Sequence, residues 1–195
     1  MSGRPAVFLD RDGTLSEERG FIDRLELLEI FPWTSDAIRL LNRAGFAVVV
    51  VTNQSAIGRG IIDLAFLQSV HDTFDRHFAK SGARVDRYYY CPHHPDAPLP
   101  EYRTVCRCRK PGPGMIEQAA GELGLDLTRS FMVGDRPIDV ACGHAASVRS
   151  VLVRSGHSSG GTEAPRGLAE PDAILNNLME AVGWILRSSS PSSAR

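Results

Sequence analysis

Asp10 and Asp12 stand two residues apart at the end of an apolar run, in AVFLDRDGTL, and Gly13 after them permits a tight turn. One carboxylate placed this way can attack an electrophilic centre while its neighbour gives and takes the leaving group's proton. Other runs bring matching groups to similar positions. AVVVVTNQS delivers the hydroxyl of Thr52, with Asn53 beside it, where side-chain and backbone donors can hold phosphate oxygens. SFMVGDRPID places Asp135 just past a third apolar run and Asp139 one helical turn later. CRCRKPGPG puts Lys110 before a proline-started helix, whose N-terminus already favours an anion. Asp10 as nucleophile, Asp12 as acid and base, and Thr52 and Lys110 as stabilisers form a set suited to phosphoryl transfer through an aspartyl-phosphate. Magnesium takes hard oxygen ligands, which the carboxylates of Asp10 and Asp135 and the backbone carbonyl of Asp12 would supply. Asp139 reads equally as an orienting group for that site or as a helix-cap carboxylate.

A second metal is indicated by Cys91-Pro92-His93 and Cys106-Arg107-Cys108. Three thiolates and one imidazole complete a tetrahedral zinc set with no position left for water, as in structural sites. His94 could replace His93 by spacing. Because Cys108 directly precedes Arg109 and Lys110, such an ion would anchor the loop that carries both cations.

These groups need a scaffold that gathers strand ends. Ala6 to Leu9, Ala47 to Val51, Phe131 to Val133 and Val148 to Val153 read as buried strands, and Tyr88 to Tyr90 as a further one. Thr34 to Ala44, with Thr34, Ser35 or Asp36 as cap, Asp63 to Ser81, and Pro113 to Leu123 read as helices. The alternation predicts an α/β domain, a doubly wound parallel sheet with helices on both faces, whose ligands bind at the strands' carboxyl ends. A length of 195 residues suits one domain, here 1–187, with 188–195 as a disordered tail and Ser155 to Gly167 as a Gly/Ser-rich loop without chemistry. Neither segment between the motifs is long enough for a separate cap domain.

Lys and Arg total 22 against 23 Asp and Glu, so no global field favours nucleic acid or an anionic membrane. No stretch approaches the roughly 20 apolar residues of a membrane span. The expectation is a cytoplasmic monomer acting on a small molecule.

With DRDGT at Asp10 to Thr14, Thr52, Lys110 and GDRPID at Gly134 to Asp139, the chain resembles the haloacid dehalogenase superfamily of phosphohydrolases over roughly Ala6 to Val153. CPHHP and the following CRCRKP narrow the resemblance to the D,D-heptose 1,7-bisphosphate phosphatase family, including its zinc loop. That resemblance implies a HAD-like fold and hydrolysis of the 7-phosphate of D-glycero-D-manno-heptose 1,7-bisphosphate, toward the activated heptose of lipopolysaccharide and other surface glycans. It implies magnesium and zinc as cofactors. It carries substrate contacts onto Glu18, Arg19, Gly20 and Phe21, onto Thr52, Asn53, Gln54 and Ser55, and onto Arg109, Lys110 and Arg136. Glu18 to Phe21 only approximates the family's acidic-His-Gly-Tyr loop, and Arg136 stands where lysine is common; the two cations differ in reach and geometry. Histidinol-phosphate phosphatase is the nearest alternative. A receiver-type phospho-acceptor switch and a zinc-stabilised binding module are alternatives from other classes.

Overall fold

A computed structural model describes residues 3–156 and 170–189. Six strands, β1 (Ala6–Leu9), β2 (Ala47–Asn53), β3 (Arg87–Cys91), β4 (Phe131–Gly134), β5 (Arg149–Val153) and β6 (Ala173–Leu175), form one sheet in the order β3-β2-β1-β4-β5-β6. Every pairing is parallel. Successive residues of a strand face opposite sides, and both sides are apolar. Val7, Leu9, Val48, Val50 and Val133 pack under α1 (Thr34–Arg43), α3 (Leu64–Ala79) and α6 (Leu178–Ser189). Ala6, Phe8, Val49, Val51 and Met132 pack under α4 (Gly114–Leu123) and α5 (Pro137–Ala145). The expected doubly wound α/β fold is therefore present, and a short α2 (Ser55–Gly58) follows β2.

Several boundaries differ from the sequence reading, each for a visible reason. β2 runs two residues further, to Asn53, because Thr52 and Asn53 continue the ladder against Tyr90 and Cys91. The α1 cap is Trp33; Thr34 instead donates its hydroxyl to the Leu15 carbonyl at 2.9 Å and ties the helix to the loop after β1. Asp63 does cap α3, accepting from the Phe66 amide at 2.7 Å. The sequence reading had no counterpart for β6 or α6. α6 extends through Ser188 and Ser189, inside the segment expected as a tail; 190–195, and 157–167 of the Gly/Ser-rich loop, lie outside the described residues.

β1 is central, and the chain leaves it toward β2 and β3 before returning on its other side through β4. Strand order reverses there, which opens a crevice at the carboxyl ends of β1, β2 and β4. Among the described residues, the segment between β1 and α1 holds a single 3-10 turn, Leu25–Leu27, and the one between β3 and α4 another, Pro100–Tyr102, with no inserted domain in either. No helix among the described residues is long and apolar enough to cross a membrane.

Candidate active site

Asp10 follows the last residue of β1, and its amide donates to the Val133 carbonyl of β4 at 2.9 Å, so the strand pairing itself fixes its position. Two donors meet its Oδ1: the Arg11 amide at 2.7 Å and Lys110 Nζ at 2.8 Å. Burial pushes the Asp10 carboxyl up to about 6 against the opposing pull of Lys110, with the charges of Asp139 and Asp12 adding to the rise. At neutral pH it is still a carboxylate. Asp12 is held differently. Arg11 grips its carboxylate with Nε at 2.9 Å and Nη2 at 2.7 Å, and Gln54 Nε2 adds a bond at 3.1 Å.

Lys110 is 2 % exposed and reaches a second carboxylate, Asp139 Oδ1, at 2.7 Å. Burial alone would lower its pKa, but Asp10 and Asp139 outweigh that and hold it above the ordinary lysine value. Its backbone is clamped by the Asn53 side chain, which donates to the Lys110 carbonyl at 3.1 Å and accepts from its amide at 3.0 Å. The Thr52 hydroxyl accepts from Gln54 Nε2 at 2.9 Å.

Asp135 is fully buried in a cradle made by glycines. A Cβ on Gly13, whose φ is +82°, would lie 2.3 Å from its carboxylate, and one on Gly156 would lie 2.1 Å away. Asp139 makes the helix-cap contact, its Oδ2 accepting from the Arg136 amide at 3.0 Å at the start of α5, while its Oδ1 meets Lys110. Oxygens of Asp10, Asp135 and Asp139 lie within 4.8 Å of one another. Gathering buried carboxylates around a single ammonium concentrates negative charge in a low dielectric, and an all-oxygen donor set of this kind fits a hard divalent cation. The residues present therefore suit magnesium.

The zinc-type cluster forms at the end of β3. Cys91 Sγ lies 3.5 Å from Cys106 Sγ and 3.2 Å from Cys108 Sγ, and His93 Nδ1 lies 3.7 Å and 3.4 Å from Cys91 and Cys108. These separations are far beyond a disulfide and suit ligands converging on one tetrahedral ion. His94 is turned aside, its Nδ1 accepting from the Asp96 amide at 3.1 Å. The loop is keyed to the site by two bonds: the Gln54 amide donates to the Cys91 carbonyl at 2.8 Å, and Arg109 Nη1 donates to the His93 carbonyl at 2.9 Å.

A family model described as HAD-hydrolase-like matches residues 107–181. The Escherichia coli K12 protein named D-glycero-beta-D-manno-heptose-1,7-bisphosphate 7-phosphatase is 39 % identical over 188 residues, 96 % of each chain. The Chlorobaculum tepidum D-glycero-D-manno-heptose-1,7-bisphosphate 7-phosphatase is 37 % identical, covering 95 % of this chain and 96 % of its own. The chain belongs to the heptose-1,7-bisphosphate 7-phosphatase family of HAD-like hydrolases. A solved member, the D,D-heptose 1,7-bisphosphate phosphatase of B. bronchiseptica complexed with magnesium and phosphate, superposes with a TM-score of 0.81 at 31 % identity, covering 94 % of this chain and 99 % of that one.

In this member of the 7-phosphatase family a cavity of about 360 Å³ opens beside Asp12 and Lys110. Glu18, Gly20, Phe21, Asn53, Gln54, Ser55, Arg109 and Arg136 all border it, as do Ile22, Ala56 and Ile138, which the sequence reading did not name. Arg19 does not border it: its guanidinium pairs with Glu17 at 2.7 Å and with Glu29, a salt-bridged turn facing solvent. Phe21 is 46 % exposed, with the Arg59 guanidinium 5.7 Å from its ring centre. Three further residues escaped the sequence reading. Arg11 was given no role there, yet it holds the Asp12 carboxylate. Ser155 and Gly156 read as the start of an inert loop, yet Ser155 Oγ donates to the Gly13 carbonyl at 2.7 Å beside the Asp135 cradle.

Proposed function

We propose that this protein removes the 7-phosphate of D-glycero-D-manno-heptose 1,7-bisphosphate through an aspartyl-phosphate on Asp10. The observation that carries this reading is the buried bridge of Lys110 between Asp10 and Asp139 beneath a cavity bordered by Arg109 and Arg136. Lys110 and the Thr52 hydroxyl neutralise and orient the phosphoryl oxygens as charge shifts during transfer. Asp12 protonates the departing sugar oxygen and then takes a proton from the water that releases phosphate from Asp10. Asp10, Asp135 and the Asp12 carbonyl would hold magnesium, with Asp139 orienting the site, and the ion would supply charge neutralisation at the phosphoryl group. Cys91, His93, Cys106 and Cys108 would hold a structural zinc.

Arg109 and Arg136 beside Lys110 suit a substrate with a second phosphate, and a cationic border weighs against a substrate bearing an amine, such as histidinol phosphate. The names of the relatives support the same substrate. The chain is read as a monomer of one domain acting in the cytoplasm, where its free cysteines stay available for metal. Phosphate release should be measured with magnesium on both heptose bisphosphate anomers and on histidinol phosphate, for wild type and Asp10→Asn. The variant is expected to be inactive; full activity in it would overturn the mechanism, and release from histidinol phosphate alone would overturn the substrate.

A further inference from the structure

We propose that Arg11 and Gln54 are positioning residues that hold the Asp12 carboxylate so that one oxygen, Oδ1, carries out both proton transfers. This rests on the aspartyl-phosphate reading given above. A carboxylate has about four lone-pair sites. On Asp12, among the described residues, Oδ2 receives Arg11 Nη2 at 2.7 Å and Gln54 Nε2 at 3.1 Å, whereas Oδ1 receives only Arg11 Nε at 2.9 Å. Donor count therefore closes Oδ2 and leaves one site on Oδ1.

The holders are themselves fixed. The Arg11 side chain is 3 % exposed, so its planar fork cannot swing into solvent, and its geometry matches a carboxylate edge to edge. Gln54 Nε2 also donates to Thr52 Oγ1 at 2.9 Å, which uses both amide hydrogens. One amide thus links the acid/base carboxylate to the hydroxyl that faces the phosphoryl oxygens.

The chemistry balances on the single free site. In the first step Asp10 forms a bond to phosphorus as the ester P–O bond breaks, and the sugar oxygen keeps that electron pair and takes the Asp12 Oδ1 proton. In the second, water oxygen bonds to phosphorus, the Asp10–phosphorus bond breaks, and Asp12 Oδ1 accepts the water proton.

Leaving-group dependence separates positioning from general structural damage. The alkoxide of a sugar ester needs a proton to depart, whereas p-nitrophenolate does not. Arg11→Lys and Gln54→Met should be compared with wild type on heptose bisphosphate and on p-nitrophenyl phosphate by rapid quench. Both variants are expected to lose about 10- to 100-fold in enzyme phosphorylation by the sugar ester, out of the 10² to 10⁴ that acid–base catalysis supplies. The loss with the aryl ester should be at least about 10-fold smaller, with a burst of nitrophenolate followed by slow turnover. KM should change little. Equal losses on both esters, or a raised KM with unchanged kcat, would overturn the proposal. If Arg11→Lys does not fold, Gln54→Met and Gln54→Leu decide the matter alone. Wild-type protein inert toward both esters would count against the phosphatase reading instead.

Discussion

Lys110 has two separable effects because its ammonium touches two buried carboxylates, Asp10 and Asp139, as well as the space where phosphate would sit. Replacing it by alanine should lower the rate by about 10² to 10³, the usual cost of a lost donor to developing charge. It should also destabilise the metal-free protein by roughly 3–5 kcal/mol, because the carboxylates lose their buried partner. Added magnesium should recover more melting temperature in Lys110→Ala than in wild type; thermal melts with and without the ion check this, and an unchanged metal-free melt would confine Lys110 to phosphate contact. Asp10, Asp12 and Asp135 were legible because a carboxylate directly after an apolar run can only emerge at a strand's end. Arg11 was not. Its side chain turns back onto Asp12, which also receives Gln54, a residue distant in sequence that tertiary packing brings there.

At the scale of elements, the zinc-type loop acts as a strut. It joins the end of β3 to the start of α4, and Cβ atoms on Gly112 or Gly114 would lie 2.4 Å and 2.7 Å from the Arg107 carbonyl, so the loop can pack only on glycine. Cys106→Ser should release zinc, measured by elemental analysis, and cut turnover by loosening Arg109 and Lys110 together; binding in zinc peptides is worth about 10–16 kcal/mol. A zinc-free variant with full turnover would contradict the strut. The helix α3 carries a different test. His71 is buried on it and stacks on Tyr88 at 4.4 Å, and burial, with the charge of Arg11, lowers its pKa from 6.5 to about 4. Folding therefore favours the neutral ring, so stability is full above pH 6.5 and falls as the pH drops toward 4, by up to roughly 3 kcal/mol. His71→Phe keeps the stack and should flatten the melting temperature across that window. The periodicity of α3 was readable and its buried histidine was not, because an apolar stripe does not show which polar residue is enclosed with it. β6 went unread because it is only three residues long, and α6 went unread although Asn177 caps it, its Oδ1 accepting from the Glu180 amide at 3.1 Å.

Across the whole molecule, strand order brings the separate pieces to one crevice: β1 supplies Asp10, β2 supplies Thr52, β4 leads into Asp135, and the turn after β5 closes on Asp135 through Gly156. The alternation of strands and helices made the doubly wound class legible, but the approach of Gly156 depends on β5 lying next to β4, a neighbour relation that composition does not encode. A cation held by this crevice would join chain segments from both halves of the sheet, and anything that binds only the folded state stabilises it by mass action. At a magnesium concentration about 100 times its dissociation constant the gain is roughly 2.7 kcal/mol. For a domain of this size each kcal/mol moves the melting temperature by about 2–4 °C, so a rise of roughly 5–11 °C is expected. Asp135→Asn keeps the shape within the glycine cradle and removes the charge, and should abolish the rise. Because this measurement uses no substrate, it tests the metal site apart from turnover: an equal shift in Asp135→Asn would place the ion elsewhere, and no shift in wild type would remove it from the site.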